Sequence, residues 1–293
     1  MKIRKVSYAL GAEISDVDIS KPLDAQAFGA IRQAFIDYSL LLFRGQQLTK
    51  EQYVAFSRRF GELSKKQSRA TADYPELSSV ISTPRPDGTA DEDYNGSDWH
   101  SDISYRVSPN IITALRAIAI PTVGGDTQFA NMYLAYETLS DGMKKLIDGL
   151  EGVHMQQEKD LDRSSPEKLA AERRDKTAAH PLVKVHPVSG RKSLYVGDKT
   201  MLIVGMTPEE SGPLLDYLCN HSRRPQFVYV HQWQKDDIVL WDQRCLNHNA
   251  MGNFDRRREY RCLEKTTVLG PPTGRPYVDT SGARNLTHAP VLQ

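Results

Sequence analysis

The sequence predicts a mainly β protein with flanking helices, a jelly roll of two packed sheets. Short strand-like runs recur along most of the chain, several of them as strand, turn and strand in succession. The clearest helical stripes are few and begin early, before residue 61. A chain of 293 residues with 39% hydrophobic content can bury a sizeable core, and one barrel domain with decorations accommodates it. Residues 1–293 are therefore read as a single domain.

Residues 1–20 hold short alternating pieces around Gly11 and read as edge strands. From Asp24 the period changes: Phe28, Ile31, Phe35 and Tyr38 recur at helical spacing and mark an amphipathic helix. Leu40-Leu-Leu-Phe43 is too short for a second helix and reads as a buried strand bounded by Arg44-Gly45. Thr49-Lys-Glu-Gln52 is a capping box that opens a helix with Tyr53, Phe56 and Phe60 on one face. The polar stretch of about 62–98, broken by Pro75, Pro84 and Pro86, reads as an active-site lid loop because it leads directly into Trp99-His100.

Ile111 to Ala119 alternates as a strand, with Ile112, Ala114, Arg116 and Ile118 on one side and Ile111, Thr113, Leu115 and Ala117 on the other. Gly124-Gly125 lacks the Gly-Lys-Ser/Thr of a phosphate loop, so it reads as a hairpin turn into Thr127-Gln-Phe129. Ser140-Asp141 caps a helix expected to face Met143, Leu146, Ile147 and Leu150 inward. The charged segment of about 156–177 reads as a solvated, mobile insertion. Residues 182–197 and 227–242 each read as a hairpin, the second turning at Lys235-Asp-Asp237. Between them Thr207-Pro-Glu-Glu210 is a second capping box with proline at the first helical position. Residues 271–293 form an extended tail, a free end or an arm over a partner subunit.

A formal net charge of +1 argues against a polyanion as the main partner. Neither nucleic acid nor membrane is expected; a small-molecule substrate and assembly into a homo-oligomer are. Cys219, Cys245 and Cys262 are odd in number and show no Cys-x-x-Cys spacing, so neither a disulfide framework nor a zinc site is indicated. No apolar run approaches the ~18–20 residues of a membrane span, and a cytoplasmic protein is expected.

The chemistry gathers at Trp99-His100-Ser101-Asp102 and at His248 far downstream. If residues 100–102 are extended, His100 and Asp102 share one face while Ser101 points away. One more imidazole from a distant strand completes two neutral nitrogens and a carboxylate on one side of an ion. That set, with its other side open, is the facial triad of non-haem Fe(II) oxygenases. The basic run Arg256-Arg257-Arg258-Glu259-Tyr260-Arg261 follows, and a guanidinium from it near the metal can clamp a dicarboxylate.

Here the chain resembles the Fe(II)/2-oxoglutarate dioxygenases of the taurine dioxygenase and chlorophenoxyacetate dioxygenase (TauD/TfdA) family. The resemblance covers Leu41-Leu-Phe-Arg-Gly-Gln46, Trp99-His-Ser-Asp102, Pro121-Thr-Val-Gly-Gly-Asp-Thr127, Tyr133-Leu-Ala-Tyr-Glu137, Pro187-Val-Ser-Gly-Arg191, Trp241-Asp-Gln-Arg244 and Thr266-Thr-Val-Leu-Gly270. It implies a double-stranded β-helix with iron at its mouth, and an oxidoreductase that uses Fe(II), 2-oxoglutarate and O₂ and releases succinate and CO₂. It further implies His100, Asp102 and His248 as iron ligands and Thr127 as a hydrogen-bond donor to a 2-oxoglutarate carboxylate. Asp102 separates the chain from halogenating relatives, which carry a small residue at that place.

Two spacings compete for the 2-oxoglutarate arginine. Alignment back from Thr266-Thr-Val-Leu-Gly270 selects Arg261, whereas the family's usual spacing from His248 lands between Arg257 and Glu259. Arg261 is preferred, because a strand fixes register and a loop absorbs an insertion. In that register Lys265 stands where the family places the arginine that meets the substrate's acid group. Asn95 lies near a substrate-contacting asparagine of taurine dioxygenase. The expected substrate is a small organic anion, a carboxylate such as an aryloxyalkanoate, hydroxylated and in some cases thereby cleaved; taurine or another alkylsulfonate is the alternative. A non-catalytic jelly-roll binding protein and a zinc hydrolase are the more remote readings. The histidines His154, His180, His186, His221, His231 and His288 sit in no paired ligand pattern and read as surface or core residues.

Overall fold

The computed structural model describes residues 1–65, 73–85, 87, 89, 96–157 and 160–278. Its largest sheet has seven strands in the order β1–β2–β3–β13–β5–β15–β4. These are β1 (Lys2–Lys5), β2 (Ala12–Ser15), β3 (Leu40–Phe43), β13 (Ile238–Asp242), β5 (Ile112–Ala119), β15 (Arg261–Val268) and β4 (Ser78–Ser82). Leu40-Leu-Leu-Phe43 and Ile238-Val-Leu-Trp241 are apolar without alternation because both faces of the sheet are covered there. A three-stranded sheet β12–β6–β14, with β12 (Val228–His231), β6 (Thr127–Asn131) and β14 (Leu246–Ala250), lies opposite. A four-stranded sheet β11–β7–β8–β16 joins β11 (Thr200–Ile203), β7 (Glu151–Met155), β8 (Thr177–Pro181) and β16 (Arg275–Pro276); β9 (Val183–Val185) and β10 (Lys192–Leu194) form a hairpin.

The outer face of the seven-stranded sheet is covered by α1 (Ala25–Tyr38) and α2 (Lys50–Arg58). Asp24 caps α1 by accepting from the Ala27 amide at 2.7 Å, and the capping box of Thr49 and Gln52 starts α2. Ile31, Phe35, Tyr53 and Phe56 pack on Leu41, Phe43, Ala114, Leu240 and Val268. The inner face sends Leu42, Leu115, Val239, Trp241 and Leu263 against Phe129, Tyr133 and Leu246. Strand alternation thus sorts neighbouring residues into two separate cores. A third core beneath α3 (Met132–Glu137), α4 (Asp141–Ile147) and α6 (Pro208–Ser222) gathers Met132, Ile147, Leu194, Leu215 and Leu218. The capping box of Thr207 and Glu210, with Pro208 at the first turn, begins α6 as expected.

Several local expectations change in the folded chain. Residues 227–242 are not one hairpin: β12 pairs with β6, while β13 pairs with β3 and β5 in the other sheet. A turn signal marks a reversal but carries no information on which strand becomes the partner. Gly124-Gly125 likewise carries the chain between sheets instead of closing a hairpin; Gly124 has φ +78°, and a Cβ there would lie 1.8 Å from the Asn253 carbonyl oxygen. The stretch expected as an uninterrupted lid contains the edge strand β4, paired with β15. The charged segment holds α5 (Pro166–Asp175), capped by Ser165 and with none of its residues fully buried. Leu146 is exposed, so the inward face of α4 is narrower than its periodicity suggests. Arg275–Pro276 of the tail pairs with β8, and residues 279–293 lie outside the described residues.

Candidate metal centre and co-substrate site

His100 and His248 are brought together by their backbones. The His100 amide donates to the His248 carbonyl at 3.0 Å and the reverse bond is 2.9 Å, an antiparallel bridge that sets the two imidazoles side by side with centroids 4.2 Å apart. The chain turns immediately afterwards, with Ile103 at φ +46°, so His100 to Asp102 is not a continuous strand. Gln243 corrects for the turn. Its Oε1 accepts from the Asp102 amide at 2.9 Å, its Nε2 donates to Asp102 Oδ2 at 2.9 Å, and its carbonyl accepts from Ser101 Oγ at 2.9 Å.

Asp102 Oδ2 also accepts from Thr113 Oγ1 at 2.8 Å and lies 3.0 Å from Lys265 Nζ. With Oδ2 occupied, Oδ1 faces the imidazoles, 3.5 Å from His100 Nε2 and 3.8 Å from His248 Nε2. One donor atom from each of the three residues lies within 4.8 Å of the others. Cis ligands on bonds of about 2.1 Å sit about 3 Å apart, so small side-chain movements close this set on one ion. Among the described residues no other His, Cys, Asp or Glu group has such a spacing.

The protonation states suit ligation. Burial opposes ionisation of Asp102, but the adjacent Lys265 ammonium outweighs it and holds the carboxyl well below its usual range. Burial, aided by the adjacent His100 ring, keeps His248 well below the ordinary histidine value, hence neutral at pH 7. The Asp98 carbonyl lies 2.7 Å from His100 Nδ1 and can only accept, so the proton is on Nδ1 and Nε2 presents its lone pair. Two neutral nitrogens and one carboxylate on one side of a point fit Fe(II) with open positions.

Thr127 begins β6, two residues before Phe129, the register partner of His248. Its Oγ1 accepts from the indole Nε1 of Trp233 at 3.0 Å. Arg261 begins β15, is buried, and donates through Nε to the Gly125 carbonyl at 3.0 Å, which brings it to the start of β6. Arg257 and Arg258 are exposed in the preceding turn. Lys265 enters the same mouth and pairs with Asp102. Asn95 lies outside the described residues.

A family model described as taurine catabolism dioxygenase TauD, TfdA family, matches residues 2–263. The chain belongs to the TauD/TfdA family. It is therefore an Fe(II)- and 2-oxoglutarate-dependent dioxygenase, and its sheets form that family's jelly roll. It is 34% identical over 257 residues to the (S)-phenoxypropionate/alpha-ketoglutarate-dioxygenase of Sphingobium herbicidovorans, covering 82% of this chain and 84% of the relative. The crystal structure of a taurine dioxygenase from Burkholderia xenovorans superimposes with a TM-score of 0.79 at 32% identity, covering 96% of this chain and 95% of that one. That of AAD-2 in complex with Mn(II) and N-oxalylglycine gives 0.79 at 30% identity, covering 93% and 98%.

Among the residues around this TauD/TfdA site, no local sequence pattern marks the roles of Gln243, Thr113, Asp98 and Trp233. Gln243 lies inside the Trp241-Asp-Gln-Arg244 motif, which was its one available signal. His154, His180, His186, His221 and His231 stay out of the triad; His186 is instead held 3.1 Å from Asp242 beneath a turn.

Proposed function

We propose that His100, Asp102 and His248 hold Fe(II), that Thr127 and Arg261 hold the distal carboxylate of 2-oxoglutarate, and that Lys265 receives the acid group of a small organic anion. The observation that carries the substrate's charge is the position of Lys265 Nζ, 3.0 Å from Asp102 Oδ2 and one-quarter exposed. An ammonium has three donors, and one on Asp102 leaves two for an incoming anion. When bound, Fe(II) and 2-oxoglutarate supply the oxidising chemistry with O₂, and 2-oxoglutarate leaves as succinate and CO₂. The chain's own share is positional. Gln243 and Thr113 keep Asp102 turned so that one oxygen faces the metal position, and Lys265 sets the reactive C–H bond by its distance from the substrate's acid group.

A carboxylate such as an aryloxyalkanoate is the substrate class we favour, since a lysine is a point charge that serves a carboxylate without the two-pronged fit of a guanidinium. Similarity to a phenoxypropionate dioxygenase supports the same class, and similarity to a taurine dioxygenase keeps alkylsulfonates as the alternative. Succinate formation with Fe(II), ascorbate and 2-oxoglutarate, read across aryloxyalkanoates, alkylsulfonates and neutral analogues, tests the reading. Turnover of neutral analogues as fast as acids would remove the anion assignment and leave the dioxygenase untouched.

Homo-oligomeric assembly in the cytoplasm belongs to the same proposal. Buried, unbridged Cys245 and Cys262 suit a reducing compartment. No described helix is long and apolar enough to cross a membrane. Light scattering on the purified chain tests the assembly.

A further inference from the structure

The hydroxyl proposed to hold 2-oxoglutarate has a partner that no motif contains. Trp233 Nε1 lies 3.0 Å from Thr127 Oγ1, and an indole N–H can only donate. Thr127 Oγ1 is therefore the acceptor in this bond, and its own proton is left for a different acceptor. The indole is held in place. Trp233 is buried two residues beyond His231, the register partner of Thr127, and the two rings meet edge to face with centroids 4.5 Å apart at 90°. The same imidazole is itself fixed, with Tyr229 Oη 3.0 Å from His231 Nδ1. Arg261, anchored on the Gly125 carbonyl, brings a cation to the same end of β6.

We infer that Trp233 is a positioning residue for the co-substrate: it fixes the Thr127 hydroxyl as a donor, so that the distal carboxylate of 2-oxoglutarate meets an O–H already oriented beside the Arg261 guanidinium. Trp233 itself touches no reactant. Without the indole the hydroxyl rotates among its staggered positions and must be ordered when 2-oxoglutarate binds. The inference rests on Thr127 as a co-substrate contact, and the experiment separates the two.

The test uses the Fe(II)-loaded enzyme and the variants Trp233→Phe, Thr127→Val and their combination, with Trp233→Met as a second way of removing the donor should Trp233→Phe fail to fold. The readouts are the 2-oxoglutarate KM, kcat, the melting temperature and the inhibition constant of pyruvate, which carries the 2-oxo acid end and lacks the distal carboxylate. Trp233→Phe raises the 2-oxoglutarate KM about five- to tenfold, the size of one lost oriented hydrogen bond, while kcat and the pyruvate constant stay within about twofold. In the Thr127→Val background the same change adds little, because no hydroxyl remains to orient. Equal effects in both backgrounds, or a pyruvate constant that moves with the KM, would reduce Trp233 to packing. A KM raised by Thr127→Val and unmoved by Trp233→Phe sinks this inference alone. A KM unmoved by Thr127→Val sinks the assignment of Thr127 and the inference with it.

Discussion

Glu264 and Lys265 are neighbours on β15, take opposite faces, and each meets an oppositely charged residue from far along the chain. Glu264 pairs with Arg116 under α2, with both side chains buried. That guanidinium also donates to the carbonyls of Leu48 at 2.6 Å and Thr49 at 3.3 Å, and it sits 5.3 Å from the Tyr53 ring centroid. The pair ties the start of α2 to the sheet, and no open side faces solvent. Lys265 pairs with Asp102 at 3.0 Å on the inner face, but the lysine is partly exposed and the carboxylate keeps one oxygen turned toward two imidazoles. The two ion pairs thus differ in how far they are shut off from solvent. A pair shut away from solvent holds structure, whereas one with spare donors and a free oxygen within reach of solvent can exchange partners.

The largest effect is expected at the open pair. Asp102→Ala removes one of the three donors, so Fe(II)-dependent succinate formation falls to background while circular dichroism stays native; His248→Ala does the same. Retained Fe(II)-dependent turnover in either variant would mean that the open pair does not serve the metal. At the closed pair Arg116→Met leaves buried Glu264 with only the half-exposed Lys50 ammonium at 3.8 Å and lowers stability by about 3 kcal/mol, measured by urea unfolding, with the folded fraction still active. If Lys265→Met costs as much stability as Arg116→Met, the two pairs are alike after all.

Gln243→Leu probes what keeps the open pair oriented. Losing both its bonds to Asp102 weakens Fe(II) binding by about 10–100-fold, as supporting residues around a metal ligand do, in an anaerobic Fe(II) titration. Lys265→Met raises KM for an acidic substrate about tenfold, the loss of about 1.4 kcal/mol from one charged contact, and leaves neutral analogues unchanged. The smallest change separates the arginines. Arg257→Ala and Arg258→Ala leave the 2-oxoglutarate KM within about twofold, since exposed side chains contribute little, whereas Arg261→Ala raises it far more. The reverse ranking would mean that the insertion lies after the co-substrate arginine.

The sequence by itself determined features that depend on residues a few positions apart. The capping boxes at Thr49 and Thr207 close through bonds to Gln52 and Glu210 three residues on, and the apolar runs of β3 and β13 carry their burial in their composition. His100 and Asp102 could be paired on paper for the same reason, although the turn at Ile103 replaces the extended geometry assumed for them. The tertiary structure decided what depends on distant partners: that β12 and β13 separate into different sheets, that an edge strand lies within the expected lid, and that Leu146 faces outward. It also selected the residues that hold the site. Gln243 reaches Asp102 across 141 positions and Trp233 reaches Thr127 across 106. A hydrogen bond needs both ends within about 3 Å, and local periodicity sets only the face on which each end lies, so the meeting of the two ends is a property of the packed sheets.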